Sequence, residues 1–242
     1  MSASMERPSA AVKETLSALF DAERAARERH AALLTFDRDL LVGEARVAAK
    51  EALTLDNDAE ASLRLVRIAV LLSDLEGAEV VDLLIDILGS EHPDARIAAG
   101  EGLEALAFDR FKEVALGIER ALTRLPKGNP ALSEIPFLLA EVAEPGCLKL
   151  LGRFLEHEDA EAVAAAIEAL AELGDPAAIP MLSKLERDGR QVQIEDEEGG
   201  GERVAIADLA SEAKDLLEEM AEDASPRPPP PKQGKKGKGG GN

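Results

Sequence analysis

The chain has 242 residues, of which 45% are hydrophobic and 31% charged, and its formal net charge is −20. It contains six Phe and no Trp or Tyr, so its core must be built from Leu, Ala, Ile and Val. No apolar run approaches the ~20 residues of a membrane helix, and residues 1–10 lack the apolar stretch of a secretory signal. The single cysteine excludes an internal disulfide. We therefore expect a cytoplasmic protein without membrane insertion.

Apolar residues recur at helical spacing through most of the chain. One hydrophobic phrase, from Leu72 to Ile87, occurs again 98 residues later from Leu170 to Leu185, and each copy ends one helix and begins the next. This repetition predicts an all-α solenoid of stacked helical hairpins. The predicted helices are about 9–30 and 38–54, followed by the pairs 58–75 with 78–89, 93–107 with 109–125, 129–143 with 146–156 and 158–173 with 176–188.

The helical pattern is interrupted near the C-terminus. Within 190–206, two alternating runs flank an acidic, glycine-rich segment and predict a small β-hairpin. A final helix at about 206–222 would close the solenoid, whereas the Pro-, Lys- and Gly-rich tail is predicted to be disordered. The expected organisation is N-terminal helices at 1–57 that cap or continue the solenoid, a repeat solenoid at 58–222 and a basic tail at 223–242.

The segment AEAVAAAIEALAELGDPAAIPMLSKL, residues 160–185, resembles the HEAT repeats first described in phycobilisome lyases. The shared features are an Ala-rich first helix, a Leu-Gly-Asp-Pro corner and a second helix that opens with Ala-Ile-Pro-Xaa-Leu, and looser matches extend over 58–222. The corner also has a mechanical interpretation. Gly174 can end a helix in the left-handed conformation, and Asp175 can cap the next helix. Pro176 stands in the first turn of that helix, where a backbone amide would have no hydrogen-bond partner within the helix. The resemblance implies a HEAT solenoid, a scaffold that serves binding proteins and a few enzymes.

Two histidines raise the question of a metal site. His92 and His157 each stand in a Glu-His-Xaa-Asp string, which we interpret as the same turn in two separate repeats. The deoxyhypusine hydroxylases, an iron-binding subgroup of this repeat family, use several His-Glu pairs. This sequence has one such pair, at His157, and the departure argues against an iron enzyme.

Three other patterns are also weak evidence of chemistry. Residues 56–60 begin like a calcium loop, but Ala61 and Arg67 stand where that loop needs Gly and Glu. The acidic cluster at 195–202 lies beside glycines and suits a solvated hairpin tip. Cys147 opens an apolar helix, where a buried thiol is more common than a nucleophile. We therefore predict no catalytic residue, no metal and no cofactor.

The distribution of charge suggests one working surface. The second helices line the concave face of HEAT solenoids, and here the last three predicted second helices hold much of the positive charge while the first helices are mainly acidic. We hypothesise a basic inner ridge that binds an acidic segment of a partner protein; the alternative is that each helix only exposes a charged stripe to water. The candidate binding residues are Lys112, Arg120, Arg124, Lys149, Arg153, Lys184, Arg187 and Arg190, with tail contacts at Lys232, Lys235, Lys236 and Lys238.

The leading prediction is a non-enzymatic scaffold or adaptor that binds a partner protein on the concave face. One alternative is a nucleic-acid-binding HEAT protein that uses the basic residues of the concave face and of the tail. Another is a bilin-lyase-like enzyme. The tail after Asp223 has five basic residues and no acidic one, so the rest of the chain has a formal net charge of −25. This negative charge repels nucleic acid. No motif supports the lyase, and the pattern does not specify an oligomeric state.

Overall fold

The predicted helical periodicity is realised almost throughout the chain. The structure is a computed structural model that describes residues 3–195 and 201–224. The helices are α1 (Ala3–Leu33), α2 (Arg38–Ala52), α3 (Asp58–Ser73), α4 (Ala78–Leu88), α5 (Pro93–Arg124), α6 (Ala131–Val142), α7 (Cys147–Phe154), α8 (Ala160–Leu173), α9 (Ile179–Leu182) and α10 (Ile206–Ala224), with strands β1 (Gln191–Glu195) and β2 (Gly201–Ala205) before α10. The α-solenoid and the small hairpin are confirmed. Of the tail predicted to be disordered, residues 223–224 belong to α10 and residues 225–242 lie outside the described residues.

The helices alternate between two layers. One, the first-helix layer, contains α1, α3, residues 93–109 of α5, α6, α8 and α10. The other, the second-helix layer, contains α2, α4, residues 111–124 of α5, α7 and α9. From α2 to α8, helices pack against their neighbours in the chain and against the same layer of the next repeat, as in α3 with α5 and α6 with α8.

The corners between helices follow the side chains that can cap them. Asp159 accepts a hydrogen bond from the amide of Glu161 at 3.1 Å and so caps α8. At the next corner Gly174 has φ +68°, and the Asp175 carboxylate accepts from the amide of Ala177 at 2.9 Å. The mechanical interpretation of the Leu-Gly-Asp-Pro corner is confirmed, because the left-handed residue ends α8 and the carboxylate binds a free amide of the following turn.

A continuous aliphatic core connects the two layers. It runs from Val42 in α2 to Leu217 in α10 and consists almost wholly of Leu, Ile, Val and Ala. Small residues set the spacing between helices: a Cβ on Gly117 would collide with the Val81 side chain of α4, and one on Gly102 would lie 3.3 Å from Cβ of Ser73. Each fully buried Leu or Ile contributes about 1.5–3 kcal/mol, so this core dominates the stability of the solenoid.

Two predicted elements differ from the structure. The helices predicted at 93–107 and 109–125 form one helix, α5, with a kink at Arg110 (φ −142°, ψ 48°), since neither Gly nor Pro separates them. The helix predicted at 176–188 is instead the short α9 between two 3₁₀ turns, 176–178 and 183–185. Pro176 and Pro180 both lack an amide donor there, which removes hydrogen bonds that a longer helix would need.

The hairpin connects α9 to α10, and its strands pack against α8 and α10. Its strands pair antiparallel, with Val192 opposite Val204 and Ile194 opposite Glu202. Just before β1, the Arg190 guanidinium donates to Asp188 at 2.6 Å and to the carbonyl of His157 at 2.7 Å. The hairpin is thereby fixed to the corner between α7 and α8.

The side chains of α1 that bind the solenoid, among those described from Ser9 onward, lie in its C-terminal half. His30 lies 2.7 Å from Asp74, and Arg67 donates to Glu23 at 3.5 Å, so α1 and α3 run parallel with an offset of 44 residues. From Ser9 to Ala22 every side chain is exposed, including Leu19 and Phe20 at 60% each. Residues 9–22 of this long helix therefore bury no side chain within the described part of the chain.

Candidate partner-binding site

Three of the eight predicted binding residues are arginines that form ion pairs between neighbouring second-layer helices. Arg120 donates to both carboxylate oxygens of Asp82, at 2.9 and 3.2 Å. Arg124 donates to one carboxylate oxygen of Asp86, and Arg153 donates to Glu119 at 2.8 Å. We call this set, together with the pair of Arg38 and Glu79, the ion-pair ladder.

The acidic residues of the ladder were not among the residues predicted from the sequence. Asp82 and Asp86 each stand 38 residues before their arginine, and Glu119 stands 34 residues before Arg153, which is about one repeat. A search for opposite charges at the repeat spacing would have found all three. Within the ladder the positive charges of the ridge are largely neutralised by the preceding repeat.

The other predicted residues lie in different settings. Arg190 holds the hairpin corner, and its hydrogen bonds to Asp188 lower the pKa of that carboxyl below its usual range. Lys112 and Arg187 are exposed, and neither lines a groove with the other candidates. The tail lysines Lys232, Lys235, Lys236 and Lys238 lie outside the described residues.

The remaining two candidates, Lys149 and Lys184, lie together with Arg153 at the C-terminal end of the second-helix layer. Lys149 and Arg153 of α7 and Lys184 beside α9 line a groove of about 370 Å³, which we call the basic groove. Its apolar surface comes from Leu148, Leu155, Met181 and Leu185. Gly152 makes this surface possible, because a Cβ at that position would lie 3.2 Å from Sδ of Met181.

The charge of the basic groove is only partly used within the chain. Arg153 is bound by Glu119, whereas Lys149 and Lys184 form no ion pair with any residue that the structure describes. Glu156 is the one acid among the lining residues. The groove therefore combines an apolar floor with two available ammonium groups, a combination suited to a carboxylate-bearing segment with apolar side chains.

The positions weighed for metal or redox chemistry have ordinary surroundings. Cys147 is fully buried at the start of α7, and burial raises the pKa of its thiol, as expected of an inert packing residue. His92 and His157 stand before first-layer helices of different repeats, as predicted. Over 3–195 and 201–224, no three potential metal-ligating side chains form a group.

Residues 133–195 match the family described as HEAT repeats. This part of the chain is similar to HEAT repeats. The matched segment runs from α6 to the end of β1 and includes all residues of the basic groove. The match is to HEAT repeats in general, so the phycobilisome-lyase type remains a prediction.

Two engineered proteins of known structure are weakly similar to the chain. One similar solved structure is an engineered protein from the Northeast Structural Genomics Consortium, 20% identical, with 81% of this chain and 90% of that chain covered and a TM-score of 0.33. A second engineered protein from that consortium is 16% identical, with 82% and 92% covered and a TM-score of 0.29. No curated protein matches the chain, and no described helix has the length and hydrophobicity needed to cross a membrane.

Proposed function

We propose that this protein is a non-enzymatic adaptor that binds an acidic, partly apolar segment of a partner protein in the basic groove. The observation that carries the proposal is the meeting of Lys149, Arg153 and Lys184 around an apolar floor. HEAT solenoids commonly serve as protein-interaction scaffolds, and this groove lies within the part of the chain that matches the family.

The two kinds of surface in the groove have separate roles. Burial of Leu148, Met181 and Leu185 under a partner's apolar side chain supplies affinity, at about 25 cal/mol for each Å² removed from water. The two free lysines favour a partner that carries carboxylates and discriminate against a basic segment. Both roles need a peptide with alternating acidic and apolar residues rather than a uniformly charged one.

The ion-pair ladder narrows the hypothesis of a long basic ridge. Arg120 and Arg124 are already bound to Asp82 and Asp86, so a partner would have to displace an internal carboxylate to reach them. Exchange of one carboxylate for another gains little free energy at a partly exposed site. We therefore assign the recognition of the partner to the basic groove and a structural role to these two arginines.

The test is affinity capture with a charge-reversed groove. Tagged full-length protein and the variant Lys149→Glu/Lys184→Glu are incubated with nuclease-treated native cytosol, and captured proteins are identified by mass spectrometry. The matched control is Lys50→Glu/Lys127→Glu, which makes the same change of charge at two exposed lysines outside the groove. We expect a discrete partner that is lost with the groove variant and retained with the control.

Site-specific cross-linking then locates the contact. A photoreactive amino acid replaces Glu156, which lines the groove, or Glu141, which lies in the first-helix layer. We expect the captured partner to cross-link from position 156 and not from 141. Retention of the same partner by the charge-reversed groove, or cross-links from 141 alone, would show that the basic groove is not the binding site.

A further inference from the structure

A second groove lies in the first-helix layer, away from the basic groove. It has a volume of about 560 Å³ and is formed by α6, α8, β1 and α10, and we call it the acidic groove. Phe137, Ile194 and Leu216 line it and remain 36%, 43% and 46% exposed. Large apolar side chains of three different elements thus share one concave and uncovered surface.

The rim of this groove carries negative charge. Glu161 and Glu168 of α8 and Glu212 of α10 line it, and no lining residue is cationic. None of these three carboxylates is ion-paired within the described ranges. Glu202 stands opposite Ile194 in the hairpin, so its side chain lies on the same face of the strands as the groove-lining Ile194.

The groove has two ends, defined by the direction of its helices. Met220 of α10 approaches Gly174 at the C-terminal end of α8, so the two helices run side by side in the same direction. Glu161 and Leu209 therefore mark the end near the hairpin, and Ala171 and Leu216 mark the other end. α10 continues to Ala224, about 12 Å beyond Leu216, on the side of that second end.

We propose that the acidic groove binds the chain's own C-terminal segment, residues 225–242. This segment has Arg227, four consecutive prolines at 228–231 and four lysines, with no acid. Proline-rich segments bind apolar grooves that contain aromatic side chains, as Phe137 provides here, and the bases complement the glutamates of the rim. The same features define the wider class of ligand, a basic proline-rich peptide.

The spacing of the segment matches the groove. Residues 225–228 in extended form span about 12 Å, the distance back from Ala224 to the level of Leu216. The prolines at 228–231 then span about 12 Å, close to the ~10 Å from Leu216 to Leu209. Lys232 and the bases after it reach the end of the groove near Glu161 and Glu202, and Arg227 lies near the opposite end.

The connection to α10 favours binding within one molecule. A segment joined by a short linker experiences an effective concentration of the order of 1 mM. A contact with a dissociation constant of about 0.1 mM would therefore be mostly formed in the intact chain, and a free peptide would compete about tenfold less well. Salt weakens such a contact, since it depends on partly exposed charges.

The experiment uses the peptide 225–242 with a fluorescent label and measures its anisotropy on binding to full-length proteins in 20 mM salt. The first protein is the wild type, and the second has all five tail bases replaced by Gln. We expect the second protein to bind the peptide at least fivefold more tightly than the wild type, because its own tail no longer competes. Equal binding by the two proteins, or no binding to the second, would overturn the proposal.

Groove specificity is tested in the charge-neutralised tail background. The variant Glu161→Gln/Glu168→Gln/Glu212→Gln should lower peptide affinity at least tenfold. The matched control, Glu101→Gln/Glu104→Gln/Glu141→Gln, removes the same charge from the same layer at positions outside the acidic groove and should change affinity less than twofold. An equal loss in both variants would mean attraction by the overall field, and the acidic groove would not be the site.

An apolar substitution separates contact from charge. Leu216→Ser should lower peptide affinity severalfold, whereas Leu116→Ser, at a leucine of α5 that is 47% exposed and outside the groove, should not. Unchanged affinity of Leu216→Ser would remove the apolar contact from the proposal. None of these measurements involves the basic groove, so this proposal and the adaptor proposal can fail independently.

Discussion

The ion-pair ladder and the acidic groove contain similar residues in opposite situations. In the ladder, Asp82, Asp86 and Glu119 are each bound by an arginine of the next repeat. In the acidic groove, Glu161, Glu168 and Glu212 meet no cation in the described part of the chain. A carboxylate on one repeat forms an internal ion pair where the next repeat carries an arginine at the matching position. Where the next repeat carries none, the carboxylate is available to an external ligand.

The close approach of α4 and α5 should be the most sensitive part of the ladder. Gly117→Leu places a side chain against Val81, separates the two helices and breaks the arginine pairs beside it, so we expect a loss of about 3 kcal/mol in the free energy of unfolding. Gly43→Leu is the control, since nothing lies within 4 Å of its Cβ position in α2, and it should stabilise by about 0.5 kcal/mol. Urea unfolding followed by far-UV circular dichroism measures both, and equal effects would refute this account of the interface.

The Arg190 corner should show a smaller, pH-dependent effect. Arg190→Gln removes charged hydrogen bonds to Asp188 and to the carbonyl of His157, at a cost of about 1–2 kcal/mol at pH 7. Because Arg190 lowers the pKa of Asp188 in the folded state, this stabilisation is complete above the unfolded pKa of about 4 and is lost as pH falls through the lower folded value. The gap between wild type and variant should therefore narrow in acid, and a gap that widens would contradict the assignment.

A single rung of the ladder should contribute less. A double-mutant cycle with Asp82→Asn and Arg120→Gln should give a coupling free energy of about 0.5–1 kcal/mol, because both side chains are partly exposed. The coupling should fall between 0.1 and 1 M NaCl as the charges are screened. A coupling near zero at low salt would mean that the ladder does not stabilise the stack.

The acidic groove should contribute least to folding. Glu161→Gln/Glu168→Gln/Glu212→Gln should change the free energy of unfolding by less than about 0.5 kcal/mol in 0.5 M NaCl, where attraction of the tail is screened, because no internal cation loses a partner. Thermal unfolding of the variant and wild type provides the measurement. A loss comparable to that of a ladder residue would mean that these carboxylates have a structural role, which would remove the contrast between the two regions.

The sequence predicts elements with local causes better than sites with distant ones. The Leu-Gly-Asp-Pro corner was predictable because Gly174, Asp175 and Pro176 act on their immediate neighbours. The basic ridge was predicted from the positive residues of each second helix alone. The carboxylates that neutralise Arg120 and Arg153 come from preceding repeats, which a pattern within one helix does not reveal. The acidic groove was missed because it requires the hairpin to place Ile194 beside Leu216, a tertiary arrangement that no local pattern encodes.

The uneven attachment of α1 gives the solenoid a direction of unfolding. In a stacked array each unit is stabilised mainly by its neighbours, so a terminal unit with few buried contacts opens at the lowest free energy. Residues 9–22 bury no side chain, and an isolated helix of that length is marginal in water. Amide hydrogen exchange should therefore be fastest in the first half of α1 and become slower toward α8, whose side chains are enclosed by α6, α7 and α10. The N-terminal end can then loosen while the two grooves at the other end keep their shape.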